Sequence, residues 1–597
     1  MPVATFLLSA LLTLGANPIE PQDELSLLSH ADLEAEIERL VAAHPLAASR
    51  VRVAVSREGR SIEAVRLGSA EPGKAPGILI VANLEGPRVF ESAVAMQVLE
   101  DLLSNAEDED VAALLESEIW IVPRANPDAA EARFQSPRIE RWSSTVDVDN
   151  DRDGRSGEDP WSDVNGDGQV SWLRVEDPDG EWMEDPADPR ILIEADRSKG
   201  ERGRFALHRE GRDLDGDEAV AEDPAGDARL DRNFSSGWEA HTEHAGLFPS
   251  DDPEVQGLME FVMARPNLAL VIVYGSRDNL VGKPKSVKDD APSVKRIPPA
   301  GVLASDAALL EELGRRYGKA TENKAKGGDA SDAGTFARWC YDHRGILAVE
   351  LALWDLPSKA VEPPEPETES EAEADESSAE EEVEVAEISG ELVDSEVTED
   401  TEDTSREEAE EEKPDPSAEA KHLLWVDSLE GEEWRFLPWT PFEHPELGPV
   451  EIGGFAPFAK IEPPRSEWGS LADEQLAFLK GLDTVVPRIS IESCEREQLS
   501  SGLWKLTAVV KNEGLLPLLN RAARRSRAVR PANVRLQMPS GATLVAGRPQ
   551  VLVRGLEGSG DRVELEWLVL GPDAMELGVT LDSDFTGETF QRAEVKQ

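Results

Sequence analysis

The apolar positions of the chain recur first at helical and then at strand spacing. LSHADLEAEIERLVAAHP, around Ser29 to His44, places apolar residues three and four apart behind a capping serine and stops at a proline, which predicts an amphipathic surface helix. VRVAVSREGRSIEAVRLG alternates, turns at Glu58-Gly59 and alternates again, the pattern of a hairpin. Apolar runs follow: GILIV from Gly77, which breaks at Asn83 and leads into a helical stretch; IWIV from Ile119, which ends in Asn126-Pro127-Asp128; then LALVIVYGS and GILAVELALW. Helical patterns from Asp252 to Ala264 and from Ala304 to Tyr317 lie between the later runs. This alternation predicts an α/β core with a largely parallel or mixed sheet flanked by helices.

The rhythm then changes. Residues 361–420 hold 27 Asp or Glu against two basic residues, Arg406 and Lys413, and cannot bury enough apolar surface to offset their ordering entropy. They read as a disordered acidic linker. WTPFEHPELGPVEIGGF and the helix-like LADEQLAFLKGL return to the first domain over 421–485. From about Pro487, the alternating segments LWKLTAVVKNEG, NVRLQMPSG and RVELEWLVLG, separated by turn residues, predict a C-terminal all-β sandwich over 487–597.

Composition narrows the partners. A formal net charge of -60 argues against nucleic acid and anionic membrane, and favours solubility and cation binding. MPVATFLLSALLTLGANP has an apolar stretch of signal-peptide length ending in small residues, so residues 1–20 are expected to direct export to the periplasm, cell envelope or medium. No later run is long and apolar enough to span a bilayer. Cys340 and Cys494 lie far apart with no metal-type spacing, and read as buried apolar fillers.

An Asp-rich stretch, about 145–227, interrupts the α/β pattern. DNDRDGRSGEDP from Asp149 and DLDGDEAVAEDP from Asp213 share Asp at positions one, three and five and end in Glu-Asp-Pro; DVNGDGQVS from Asp163 repeats the Asp-x-Asn-x-Asp-Gly opening of a calcium loop. Alternate oxygen-bearing side chains followed by glycine let a tight turn aim several carboxylates at one hard cation. Calcium is therefore expected at one or more sites drawn from Asp149, Asp151, Asp153 and Asp159, from Asp163, Asn165 and Asp167, and from Asp213, Asp215, Asp217 and Asp223. Position twelve departs from an EF-hand, being Pro160, Arg174 and Pro224, so Glu158 with Asp159 and Glu222 with Asp223 would supply the closing oxygens. The alternative is a set of bare Asp turns.

Assembled in order, SREGRSIEAVRLG, ILIVANLEG, IWIVPRANPDAAE, RLDRNFSSGW, PSDDPEVQGLMEF, YGSRDNL and GTFARWCYDHRGILAVELALW resemble the zinc carboxypeptidase family, the carboxypeptidase A-like exopeptidases. The resemblance implies a carboxypeptidase-like domain over 21–360, completed by 421–485, and a zinc held by a His-x-x-Glu pair and a distant His. Here those positions fall on Glu85, Arg88 and Gly275, or on Tyr274 if the match slips by one, so all three family ligands are replaced. It also implies that Glu350 occupies the general-base position, and that Arg232 with Asn233 holds the substrate's terminal carboxylate, with Asp231 in place of the usual Asn. A guanidinium at Arg88 repels a divalent ion, so zinc is expected for the family but not here. If Arg88 points at Glu350, it would replace the cation and neutralise the carboxylates. The expected function is a non-catalytic pseudopeptidase binding peptide or protein C-termini. The alternatives are an active metallocarboxypeptidase with substituted ligands such as Glu85, and a structural cell-envelope interaction protein.

Overall fold

The computed structural model describes residues 26–142, 157–217, 219–223, 228–240, 242, 244–282, 284–291, 298, 300–322, 331–355, 416–572 and 575–596. The signal-like stretch, Asp149, Asp151 and Asp153, and the acidic segment up to 415 lie outside the described residues.

A six-stranded sheet forms the centre, from β1 (Ala48–Val55), β2 (Ser61–Leu67), β3 (Gly77–Val81), β4 (Glu118–Val122), β9 (Leu268–Gly275) and β12 (Leu347–Ala352), in the order β1-β2-β4-β3-β9-β12. β1 and β2 are the predicted hairpin, β2 pairs antiparallel with β4, and β4, β3, β9 and β12 run parallel. The parallel strands are buried on both faces, which explains why they read as continuous apolar runs rather than as alternations. Along β3, Ile78 and Ile80 enter one apolar cluster while Leu79 and Val81 enter the other. Helices Val89–Ser104 and Arg465–Lys480 cover the first face; helix Pro253–Met263, with Phe336 and Trp339, covers the second. Helix Arg465–Lys480 follows the acidic segment in sequence yet buries Trp468, Leu471 and Phe478 in the first cluster.

The hairpin turn is fixed by charge. Arg57 Nε donates to Asp252 at 2.6 Å, Arg60 Nη1 to Asp128 at 2.8 Å, and the Arg57 amide to Glu254 at 3.1 Å. Glu254 is 1% exposed, and burial, with Asp252 and Asp128 nearby, pushes its carboxyl from 4.5 up to about 7. A carboxyl with a raised folded-state pKa contributes stability that is complete below its unfolded pKa and is lost as pH rises through the folded one. Raising the pH from about 6 to 8 is therefore expected to cost up to about 1 kcal/mol per pH unit through this group. Denaturant unfolding of Glu254→Gln should show a flatter profile over that window, and an unchanged slope would refute the assignment.

The Asp-rich insertion builds a sheet of its own. β5 (Trp172–Glu176), β6 (Trp182–Glu184), β7 (Leu192–Glu194) and β8 (Phe205–Arg209) pair antiparallel with β13 (Phe436–His444) and β14 (Gly448–Phe455) in the order β13-β14-β5-β8-β6-β7. WTPFEHPELGPVEIGGF, expected to return to the first domain, thus forms a hairpin that joins the insertion's sheet. Arg174 of β5 is held by Glu451 of β14 at 2.7 Å and stacks on Trp439 and Phe205. β10 (Ser286–Val287) and β11 (Val302–Leu303) form a short parallel pair. Helix Ala418–Asp427, capped by Ser417, begins inside the range assigned to the linker.

From Ile489 the chain forms a five-stranded and a four-stranded sheet, the expected β-sandwich, with LWKLTAVVKN and DRVELEWLVL as paired neighbours. Both cysteines are buried and unpaired. No helix among the described residues is long and apolar enough to cross a membrane.

Candidate functional site

Glu85 and Arg88 sit where β3 gives way to helix Val89–Ser104. Asn83 breaks the strand with φ 56°, and its side-chain amide donates to the Glu85 and Gly86 carbonyls at 3.0 Å each. Asn tolerates this left-handed conformation better than most residues, which fixes the loop's shape. Arg88 is the N-cap residue, and its Nε donates to Glu91 in the first turn of the same helix. Glu85 lies 3.7 Å from Arg88 Nε on the other side. Burial works against the Arg88 charge, but Glu91 and Glu85 outweigh it and hold the guanidinium protonated.

Arg88 therefore does not reach Glu350. That place is taken by Arg277, two residues beyond the end of β9. Its Nε donates to Glu350 at 2.7 Å, its Nη2 pairs with Asp231, and its Nη1 lies 4.0 Å from Glu85. The guanidinium is 9% exposed, Asp231 5%, Glu350 13% and Glu85 14%. Burial opposes the charge on Arg277, but Glu350 and Glu85 overcome it and raise its pKa.

The loop that carries Arg277 is stiff. Asp278 accepts the amides of Leu280, Val281 and Gly282, at 3.1, 3.0 and 2.6 Å. Asn279 clips the loop onto the edge strand β12: its Oδ1 accepts the Glu350 amide at 2.9 Å and its Nδ2 donates to the Ala348 carbonyl at 3.0 Å. Register decides the slip between Tyr274 and Gly275. Glu350 pairs with Val273 and Ala352 with Gly275, and side chains alternate between faces, so Gly275 lies on the Glu350 side. Tyr274 turns into the opposite cluster, 1% exposed. A cavity of about 50 Å³ beside Glu350 is lined by Asn279, Asp332, Arg338, Tyr341 and Asp342 among others.

Asp231 and Arg232 stand together in a short 3-10 turn, Leu230–Arg232, yet do not pair with each other. Asp231 faces Arg277 and accepts the Phe336 amide at 2.8 Å. Arg232 turns outward, where its Nη1 donates to the Ser331 carbonyl at 2.7 Å. Asn233 is fully buried; its Nδ2 donates to the Ala245 and Phe248 carbonyls and its Oδ1 accepts the Asp251 amide. With both amide hydrogens committed, Asn233 shapes this loop and has none to offer a ligand.

The residues that the resemblance places at the zinc positions, Glu85, Arg88 and Gly275, are a poor donor set for zinc. Catalytic zinc takes three protein ligands from His, Cys or carboxylate. Here the three positions supply one carboxylate, one guanidinium and no side chain. The carboxylate, Glu85, accepts from Ser276 Oγ through Oε1 at 2.7 Å, while its buried Oε2 has no hydrogen-bond partner among the described residues.

Sequence comparison agrees with the class of fold. A family model described as "Zinc carboxypeptidase" matches residues 33–179. Residues 33–179 are therefore zinc carboxypeptidase-like. A second model, "Domain of unknown function (DUF8731)", matches residues 488–594, the sandwich. Among solved structures the chain is similar to thrombin activatable fibrinolysis inhibitor (14% identity, 55% of this chain and 66% of that chain, TM-score 0.35). It is similar also to carboxypeptidase A from Helicoverpa armigera (14%, 56% and 66%, TM-score 0.34). A metallo-carboxypeptidase from Burkholderia cenocepacia gives 13%, 56% and 63%, with TM-score 0.31. The chain thus spans just under two thirds of the first two. No curated protein matches it.

Among the insertion's candidates, Asp163, Asn165 and Asp167 close on themselves. Asp163 accepts the amides of Gly166, Asp167 and Gly168, Asn165 accepts the Asp167 amide, and Glu210, distant in sequence, accepts those of Val164, Asn165 and Ser171. The loop's side chains thus make the hydrogen bonds of an Asp turn. Asp213 accepts the Gly216 amide, and Asp223 accepts those of Glu158 and Asp159.

Proposed function

We propose that this protein is a non-catalytic, carboxypeptidase-like protein that holds the C-termini of peptides or proteins. The observation that carries the reading is the Arg277 guanidinium on Glu350 and Asp231. A general base needs a free lone pair facing the water it deprotonates, and that water needs a Lewis acid to bring its pKa from 15.7 to about 7. At this site Glu350 instead satisfies a permanent cation, and the three zinc positions offer too few donors. What remains is Arg232, next in sequence to the network and turned outward. A guanidinium presents two parallel donors to a carboxylate, so it can hold a chain terminus without any chemistry following. The apolar leader supports export of the protein.

The test is binding of a C-terminal peptide library to the purified chain, with zinc analysis and an assay for released C-terminal residues. Arg232→Ala, or amidation of the peptide, is expected to weaken binding about tenfold or more, as loss of a charge-assisted hydrogen bond does. Stoichiometric zinc, with trimming abolished by a chelator and by Glu350→Gln, would instead establish an active metallocarboxypeptidase. Absence of any peptide binding would assign the domain a structural role.

A further inference from the structure

The tails of the two matching Asp loops lie side by side. Pro160 and Asp223 form a parallel bridge, the Asp223 amide donates to the Asp159 carbonyl at 3.3 Å, and the Asp223 carboxylate accepts the Glu158 and Asp159 amides at 2.7 and 3.2 Å. Glu158, Asp159 and Pro160 of the first loop's ending thus dock on Asp223 of the third. Docking carries Asp159, from the end of the first loop, into the third loop, where its Oδ1 accepts the Leu214 amide at 2.5 Å.

This placement gathers four carboxylates. Asp159, Asp215, Asp217 and Glu222 each contribute an oxygen, all within 4.8 Å of one another. Asp159 is the informative member: it is fully buried, and its Oδ2 has no hydrogen-bond partner among the described residues. Among those residues no lysine or arginine pairs with Asp159, Asp215 or Asp217. A buried carboxylate oxygen with neither donor nor counter-charge is costly unless something positive completes it.

We infer that Asp159, Asp215, Asp217 and Glu222 form one composite divalent-cation site, built for calcium, that ties the end of the first Asp loop to the third. Hard carboxylate donors without nitrogen or sulfur favour such an ion, and calcium accepts irregular clusters of six to eight oxygens where magnesium demands a near-ideal octahedron. The site is independent of peptide binding at Arg232. Its charge also answers the density of Asp in the insertion, because one ion offsets two of four mutually repelling groups.

The experiment is calcium titration of the chelator-stripped full-length chain by calorimetry, comparing Asp159→Asn, Asp217→Asn and Asp163→Asn. The first two are expected to lower the calcium stoichiometry by one, whereas Asp163→Asn, in the loop closed by its own amides, should leave it unchanged. Should Asp159→Asn fail to fold by circular dichroism, the exposed Asp217 decides alone. A stoichiometry unaffected by Asp217→Asn, or the absence of calcium binding at millimolar concentration in the wild type, overturns the inference.

Discussion

Replacing Arg277 with methionine is expected to cost about 3–5 kcal/mol, the range for removing one partner of a buried ion pair. The reason is what the substitution leaves behind. Glu350, Asp231 and Glu85 converge on this guanidinium from β12, from the turn before Asn233 and from the loop after β3. Methionine fills a similar volume but neutralises none of them, so each must find water or take a proton. Guanidinium unfolding of Arg277→Met measures the loss directly. The ion-pair account further requires that adding Glu350→Gln and Asp231→Asn restore most of it, because removing both sides of a buried pair is often nearly neutral. A loss below about 1 kcal/mol, or a triple variant no better than the single, would mean that the network is solvated and stabilises little. Either result would also remove the ground for calling Glu350 engaged.

That network shows where reading the sequence succeeds and where it stops. The central strands were legible because burial on both faces leaves only apolar residues, and the helices because Ser29 caps one and Asn83 opens the way into another. That a guanidinium could stand in for a cation beside Glu350 was legible too, through the resemblance. Its source was not. Arg88 is the nearer choice in family alignment, but Glu91 lies one helical turn along the same helix and captures it, a local i,i+3 effect visible in PRVFE only once the helix start is fixed. Arg277, within YGSRDNL, carries no local signal, because its three carboxylate partners come from positions 85, 231 and 350, which nothing local connects. The same limit applies to the insertion. The repeated Asp template was plain, but the pairing of one loop's tail with another's is tertiary, as is the capture of β13 and β14 by the insertion's sheet.

The junction between the carboxypeptidase-like domain and the sandwich is the second place where a small change should have a large effect. Gly345 adopts φ 68°, and a Cβ there would lie 2.3 Å from the Cα and 2.6 Å from the amide nitrogen of Ala523 in the sandwich. Backbone cannot rotate away as a side chain does, and this backbone is pinned: Asp306 accepts the amides of Arg521 and Ala522 at 2.8 and 2.9 Å, with the Tyr341 hydroxyl at 2.8 Å, while Asn520 accepts the Ala523 amide at 2.6 Å. Gly345→Ala therefore combines about 1–2 kcal/mol for the left-handed conformation with about 1–3 kcal/mol for overpacking. Gly431→Ala separates the two contributions, because Gly431 has φ 79° but nothing within 4 Å of its would-be Cβ. Thermal and denaturant unfolding of both variants should show Gly345→Ala as the more destabilised by the overpacking share, with the sandwich the first part to become sensitive to protease. Equal losses would mean that the two domains yield at this contact, and that helix Arg521–Ser526 is held less firmly than its hydrogen bonds to Asp306 imply.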